Sequence, residues 1–338
     1  MAERPVPEVA RRTVPFDLMR LSLAFDRRSN ALNTVRLVLA LTVLAVHSWH
    51  LVGQVEPHLG ALRAHELAVD GFFAVSGFLI VDSYQRRSST WRYLWHRALR
   101  LLPAYWLCLL TVGLLAMALG AGVEAVGYVL ANFSVVQQQW GAGAVFADNP
   151  FPSALNGSLW SLPYELACYL LVACGLARAL PAAAAGSWLW LLLQPGLMPR
   201  LLLMFTVGAL FFRYARRVPM RRMFAVSAAA LLLLSAILPS PQILGAVPLT
   251  YLLLYAGCHW RTRVASAHDV SYGVYIYAFP VQQALALVGI RSVPVMLLLA
   301  TAIVLPLAWL SRRYIETPAL RLRHAELPSL ARSRPAVT

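Results

Sequence analysis

An all-α integral membrane protein with about ten transmembrane helices and both termini cytoplasmic is the fold class this 338-residue sequence predicts. Hydrophobic residues make up 59% of the chain and charged residues only 13%, and the mean hydropathy of +0.64 is too high for a soluble domain. Apolar runs of about spanning length recur from residue 35 to residue 310. All 29 basic residues are arginines that cluster between those runs. With ten spans and an inside N-terminus, every arginine except Arg63, Arg200 and Arg291 falls on the cytoplasmic side, the positive-inside pattern. The net charge of +15 therefore reads as topology and not as a nucleic-acid surface.

Residues 1–33 form a cytoplasmic tail in which 1–15 read as disordered and 16–25, FDLMRLSLAF, as a short interfacial helix. The tail has no long apolar core, so no cleavable signal peptide is evident and the first span directs insertion. The membrane domain, 34–311, opens with span one at about 35–52 and an outside loop. Span two, about 67–85, is rich in Gly and Ser where helices approach closely. The basic, aromatic segment RRSSTWRYLWHRALRLLPAYW leads into span three, about 101–119. The longest connection, 120–157, contains VEAVGYVLANFSVVQQQW, a surface or re-entrant helix; connections this long usually have a function. Span four, about 158–177, carries SLWSLPYELACYL. Spans five (about 182–197) and six (about 200–214) are short and interrupted by Pro, and read as two spans or as one re-entrant pair. Spans seven (about 223–239), eight (about 243–260), nine (about 270–289) and ten (about 293–310) follow, with RYARRVPMRR and RTRVASAHD as inside loops and 312–338 as a cytoplasmic tail. Cys108, Cys168, Cys174 and Cys258 lie within spans without metal-ligand spacing and read as packing residues.

Span one holds Arg36 and His47, eleven residues apart. Eleven steps of about 100° bring them to nearly one helix face, about 16 Å apart along the axis. Arg36 then lies at one membrane surface and His47 near mid-depth, where an ionisable group marks a functional site; a snorkelling arginine and a helix-bonded histidine form the alternative. His50 completes HSWH, but no acidic or cysteine ligand lies nearby in sequence, so no metal is expected. Glu165, about 10 Å into span four, reaches a depth similar to that of His47. Paired with it, the carboxylate would fix the imidazole tautomer and make His47 a general base. Alternatively Glu165 bonds to Ser158, Trp160 or Tyr164. Arg97 and Arg100 share a helix face beside Arg92, His96 and three aromatic residues. That surface suits a phosphate-rich ligand with a stacking base, or a stop-transfer cluster on lipid headgroups.

The ordered set Arg36-x10-His47, GFFAVSGFLI (71–80), RALRLLPAYW (97–106), LWSLPYE (159–165), SYGVYIYAFP (271–280) and IETP (315–318) resembles the membrane-bound acyltransferase-3 family over about residues 30–320. The resemblance implies an O-acyltransferase that moves an acyl group, usually acetyl, from cytoplasmic acyl-CoA to a hydroxyl of a carbohydrate acceptor such as a surface or exported polysaccharide. It implies His47 as the catalytic histidine, Arg36 as its motif partner, Glu165 as a functional acid, and Arg97 and Arg100 as the arginine pair associated with acyl-CoA. Ser271 and Tyr272 become candidates on the donor side, and Trp160, Asn156 and Ser76 on the substrate side. No tightly bound cofactor is expected; acetyl-CoA, or another acyl-CoA, is the donor substrate. Where many relatives carry His, this chain has Ala278, so no catalytic role falls there. No hydrolase-like domain is appended, so transfer falls to the membrane part or to a separate polysaccharide-assembly protein. An acyl-histidine intermediate is the alternative to general-base chemistry. A multi-pass cytoplasmic (inner) membrane location follows from the spans and the resemblance. The competing class is a transporter or flippase for a lipid-linked sugar, against which no repeated halves are visible.

Overall fold

A computed structural model describes residues 15–27, 29–87, 89–260 and 269–324. The helices are α1 (Leu32–Leu51), α2 (Ala64–Gln85), α3 (Thr90–Ala116), α4 (Val123–Asn132), α5 (Leu162–Ala173), α6 (Leu180–Leu193), α7 (Leu197–Arg213), α8 (Arg222–Leu234), α9 (Gln242–His259), α10 (Ser271–Leu287) and α11 (Val293–Ser311). Every apolar run read from the sequence is helical, and α4 lies within the long connection. Among the described residues the sole strands are β1 (His58–Leu59) and β2 (Leu62–Arg63), a small hairpin between α1 and α2. Leu32–Leu51, Ala64–Gln85, Thr90–Ala121 and Val293–Arg321 are long and apolar enough to cross a membrane. Large apolar side chains such as Leu114, Leu193 and Leu298 stay exposed on the outer faces, as a helix surface toward lipid requires. The protein is thus an all-α membrane protein.

The central helix is α10, buried continuously from Ser271 to Pro280 and packed against α1 and α11. It is apolar or small on every side, the pattern of a helix enclosed by others. Pro280 lacks an N–H, so the Ile276 carbonyl one turn earlier loses its helical donor. Asn156 Nδ2 supplies a replacement at 2.9 Å. The closest helix crossing joins α2 to α7. A Cβ on Gly77 would lie 1.9 Å from the Phe205 carbonyl oxygen, and one on Gly208 would lie 1.9 Å from that of Ala74, so both positions must be glycine for the backbones to touch.

Several boundaries differ from the sequence reading. Residues 16–25 form no continuous helix: Phe16–Leu18 is a 3-10 turn, Leu21–Ala24 a single α-turn, and Arg20 bridges Pro219 between them. Met19 and Leu21 enter the core, and the Leu21 N–H donates to Val218 at 2.8 Å, which holds the segment against the protein. The disordered stretch expected over residues 1–15 lies outside the described residues apart from Pro15, as do most of the RTRVASAHD loop and residues 325–338. Span four is α-helical only over Leu162–Ala173, between a 3-10 turn with Pro163 after it and Gly175 at φ +111°. The helix expected to run on from residue 123 stops at Asn132, whose Oδ1 accepts the N–H groups of Gln138 and Gln139. Span ten continues beyond Ser311 through a π-turn, Arg312–Glu316, and a short helix, Thr317–Arg321, so part of the expected tail is packed structure with Glu316 fully buried.

Candidate active site

The site begins where α10 begins. Asp269 Oδ1 accepts the Ser271 N–H at 3.1 Å and the Ser271 Oγ–H at 2.5 Å, a local side-chain turn that fixes the carboxylate. Its Oδ2 is left to face α1 and α3, where Arg36 Nη1 approaches to 2.6 Å and Arg100 Nη2 to 2.5 Å. Arg100 Nη1 also reaches Glu316 Oε2 at 3.5 Å, and Arg312 Nη1 shares that oxygen at 3.3 Å. Burial by itself raises the Asp269 carboxyl, but Arg36, Arg100 and the two Ser271 hydrogen bonds hold it well below the usual carboxylate range.

This network carries more cations than anions. Arg36, Arg100 and Arg312 face Asp269 and Glu316, and Arg97 lies alongside, its guanidinium 5.9 Å from the Tyr169 ring centre and its Nη2 3.4 Å from Ser83 Oγ. The Nε atoms of Arg36, Arg97 and Arg312 are buried without hydrogen-bond partners. A partly buried surplus of positive charge with unspent donors is complementary to an anion.

Two adjoining cavities share Arg36, Ser76, Glu165 and Tyr272 in their walls. One continues along Val69, Phe72 and Phe73 and is apolar; the other continues along Arg97 and Arg100 and is basic. Tyr272 closes the wall, its hydroxyl donating to the Leu101 carbonyl at 3.0 Å.

The structure brings Arg36, Arg97, Arg100, Glu165, Ser76, Ser271 and Tyr272 to this region but leaves His47 and Glu165 unpaired. Glu165 accepts instead from the Tyr169 hydroxyl one turn along α5. Leu155, Asn156 and Ser158, just ahead of α5, are all fully buried. Asn156 serves the Ile276 carbonyl, and Trp160 packs edge-on to Tyr164 with ring centres 6.1 Å apart. Neither lines the two cavities.

His47 sits further along α1, edge-on to Phe279 at 5.4 Å, with its Nδ1 buried and without a hydrogen-bond partner. His50 lies 6.4 Å from it and His65 another 5.7 Å on, ring centre to ring centre. His65 Nδ1 is 2.8 Å from the carboxylate of Glu56, itself 3% exposed. Val69, four residues beyond His65 on α2, belongs to the apolar cavity, whereas His47 lines neither cavity. The partners missed by the sequence reading are Asp269, Glu316, Glu56 and His65. The position of Asp269 just before SYGVYIYAFP and of Glu316 inside IETP was the available signal. Among the described residues no group of three or more His, Cys, Asp or Glu side chains is arranged to hold a metal ion.

A helical membrane bundle with a cavity apolar at one end and arginine-rich at the other, and a buried histidine beyond, suits transfer of an apolar group from an anionic carrier. Residues 29–313 match the family model described as "Acyltransferase domain", so the chain belongs to the acyltransferase-3 family and is an acyltransferase. An O-acetyl transferase of Shigella phage Sf6 is 30% identical over 284 residues, covering 76% of this chain and 85% of that protein. Nodulation protein 10 of Rhizobium leguminosarum bv. viciae is 25% identical over 348 residues, covering 87% of this chain and 94% of its own. No solved structure matches the chain.

Proposed function

We propose that this protein is a ten-span O-acyltransferase of a bacterial cytoplasmic membrane, with both termini inside, moving an acetyl group from cytoplasmic acetyl-CoA to a hydroxyl of a carbohydrate. The observation that supports the reading is the convergence of Arg36, Arg97 and Arg100 on a basic cavity that adjoins one walled by Val69, Phe72 and Phe73. The name of the phage relative supports O-acetyl transfer. The phosphates of the donor dock on the arginines, and its pantetheine arm lies along Ser76 and Phe72 toward His47, about 16 Å beyond Arg36. The unpartnered His47 Nδ1 takes the proton of the acceptor hydroxyl. The hydroxyl oxygen bonds to the thioester carbonyl carbon, the C–S bond breaks, and the departing thiolate recovers a proton. Glu165, in the cavity wall beside Tyr169, acts on donor placement in this scheme and not as the partner of His47. A surface or exported polysaccharide is the acceptor class, presented with the help of separate assembly proteins.

The test is binding and turnover of radiolabelled acetyl-CoA by purified protein in nanodiscs. His47→Ala is expected to bind donor within about twofold of wild type yet lose at least about a thousandfold of transfer and hydrolysis, the range of a lost general base. Arg97→Ala combined with Arg100→Ala is expected to weaken donor binding by at least about tenfold. Wild-type turnover by the His47 variant, or undiminished affinity in the double variant, removes the corresponding role.

A further inference from the structure

Ser76, Ile80 and Tyr84 stand at successive i,i+4 positions, along one face of α2. Ser76 and Ile80 belong to the basic cavity, and Tyr84 opens a third, exposed groove about one turn further on. Arg87, Arg178 and Arg213, from the end of α2, the turn after α5 and the end of α7, lie along that groove with Ser89 and Thr90. All three arginines are exposed. The guanidinium groups of Arg178 and Arg213 make no ion pair or hydrogen bond within the described residues, and Arg87 Nη1 meets only His96 Nε2, at 3.1 Å. No acidic side chain lines the groove. Tyr84 adds a ring held edge-on by Tyr93 at 5.1 Å.

We infer that this groove binds the 3′-phosphorylated nucleotide end of the coenzyme-A donor, an inference that rests on the function proposed above. Three cations without an acidic partner, together with hydroxyl donors and an aromatic face, match a phosphate monoester attached to a nucleoside. The diphosphate then falls to Arg97 and Arg100, one turn away, and the arm to the apolar cavity. Arg97 joins the two sites, since its Nη2 reaches Ser83 beside Tyr84 on α2.

The experiment is calorimetric titration of the full chain, in nanodiscs of zwitterionic lipid, with CoA and with 3′-dephospho-CoA. Wild type is expected to prefer CoA by about tenfold, the strength of added charge-assisted contacts. Arg178→Ala with Arg213→Ala is expected to abolish the preference while leaving the affinity for dephospho-CoA within about twofold, which also reports a folded site. Arg178→Lys with Arg213→Lys is expected to restore part of the preference. A double alanine variant that keeps the preference overturns the inference. So does a wild-type preference that disappears when half of the lipid is anionic, since the groove would then belong to lipid headgroups. Wild type binding neither nucleotide would overturn the donor reading itself, a result distinct from retained binding without discrimination.

Discussion

At the scale of single residues, the site is held by a charge network whose members come from four parts of the chain. Asp269 and Arg36 are 233 residues apart, and Arg100 and Glu316 are 216 apart. Removing the charge of Asp269 leaves the partly buried Arg36 guanidinium without its anion and Arg100 with Glu316 alone. Asp269→Asn is therefore expected to cost about 3–5 kcal/mol of stability, measured as thermal unfolding of the detergent-solubilised protein. The folded state holds this carboxyl below its ordinary pKa, so its contribution is complete above that ordinary value and fades as the pH falls through the folded one. Asn156 illustrates a different outcome. A candidate for substrate contact by its place in the sequence, it repairs the backbone gap left by Pro280, and Asn156→Ala is expected to cost about 1–3 kcal/mol by leaving the Ile276 carbonyl with only the weak Cys108 Sγ donor at 3.3 Å. Arg36, Arg100 and His47 were legible because charge in an apolar run is conspicuous. Asp269 was not, because nothing local tells which charges meet.

At the scale of elements, apolar runs located the helices well and their ends poorly. Helix ends are set by short-range chemistry such as the loop hydrogen bonds accepted by Asn132 and the positive φ of Gly175, and by loops that return into the bundle. Residues 154–158 are an example, a non-helical stretch buried against the bundle just ahead of α5. The glycines of span two were legible as a close helix contact; their partner, Gly208 on α7, was not. Gly208→Ala is expected to push α2 and α7 apart at a cost of about 1–3 kcal/mol or more, seen as a lower unfolding temperature and reduced accumulation in the membrane.

At the scale of the whole molecule, the proposed orientation of the bundle rests on the distribution of its arginines. Arg200, one of the three placed outside, is a buried residue that bonds Asp70 at 2.8 Å and Glu66 at 2.9 Å, so it bears on packing more than on orientation. Cys174 is exposed next to the turn that carries Arg178, whereas Cys108, Cys168 and Cys258 are buried. With that end facing the cytoplasm, a membrane-impermeant maleimide is expected to label Cys174 in inverted vesicles and not in intact spheroplasts. Labelling from the outside would reverse the proposed topology.

The sequence by itself determined that this chain is a helical membrane protein, where its helices lie, and that its motifs resemble those of the acyltransferase-3 family. These follow from hydropathy and from residue order, which need no neighbours in space. Only the tertiary structure decided that Arg36 and Arg100 converge on Asp269, that Glu165 faces a cavity wall and not His47, and that His47 has two histidines and a buried glutamate beyond it. Those pairings depend on how far each loop penetrates the bundle and how helices distant in sequence pack, which a one-dimensional count of residues through a membrane does not contain.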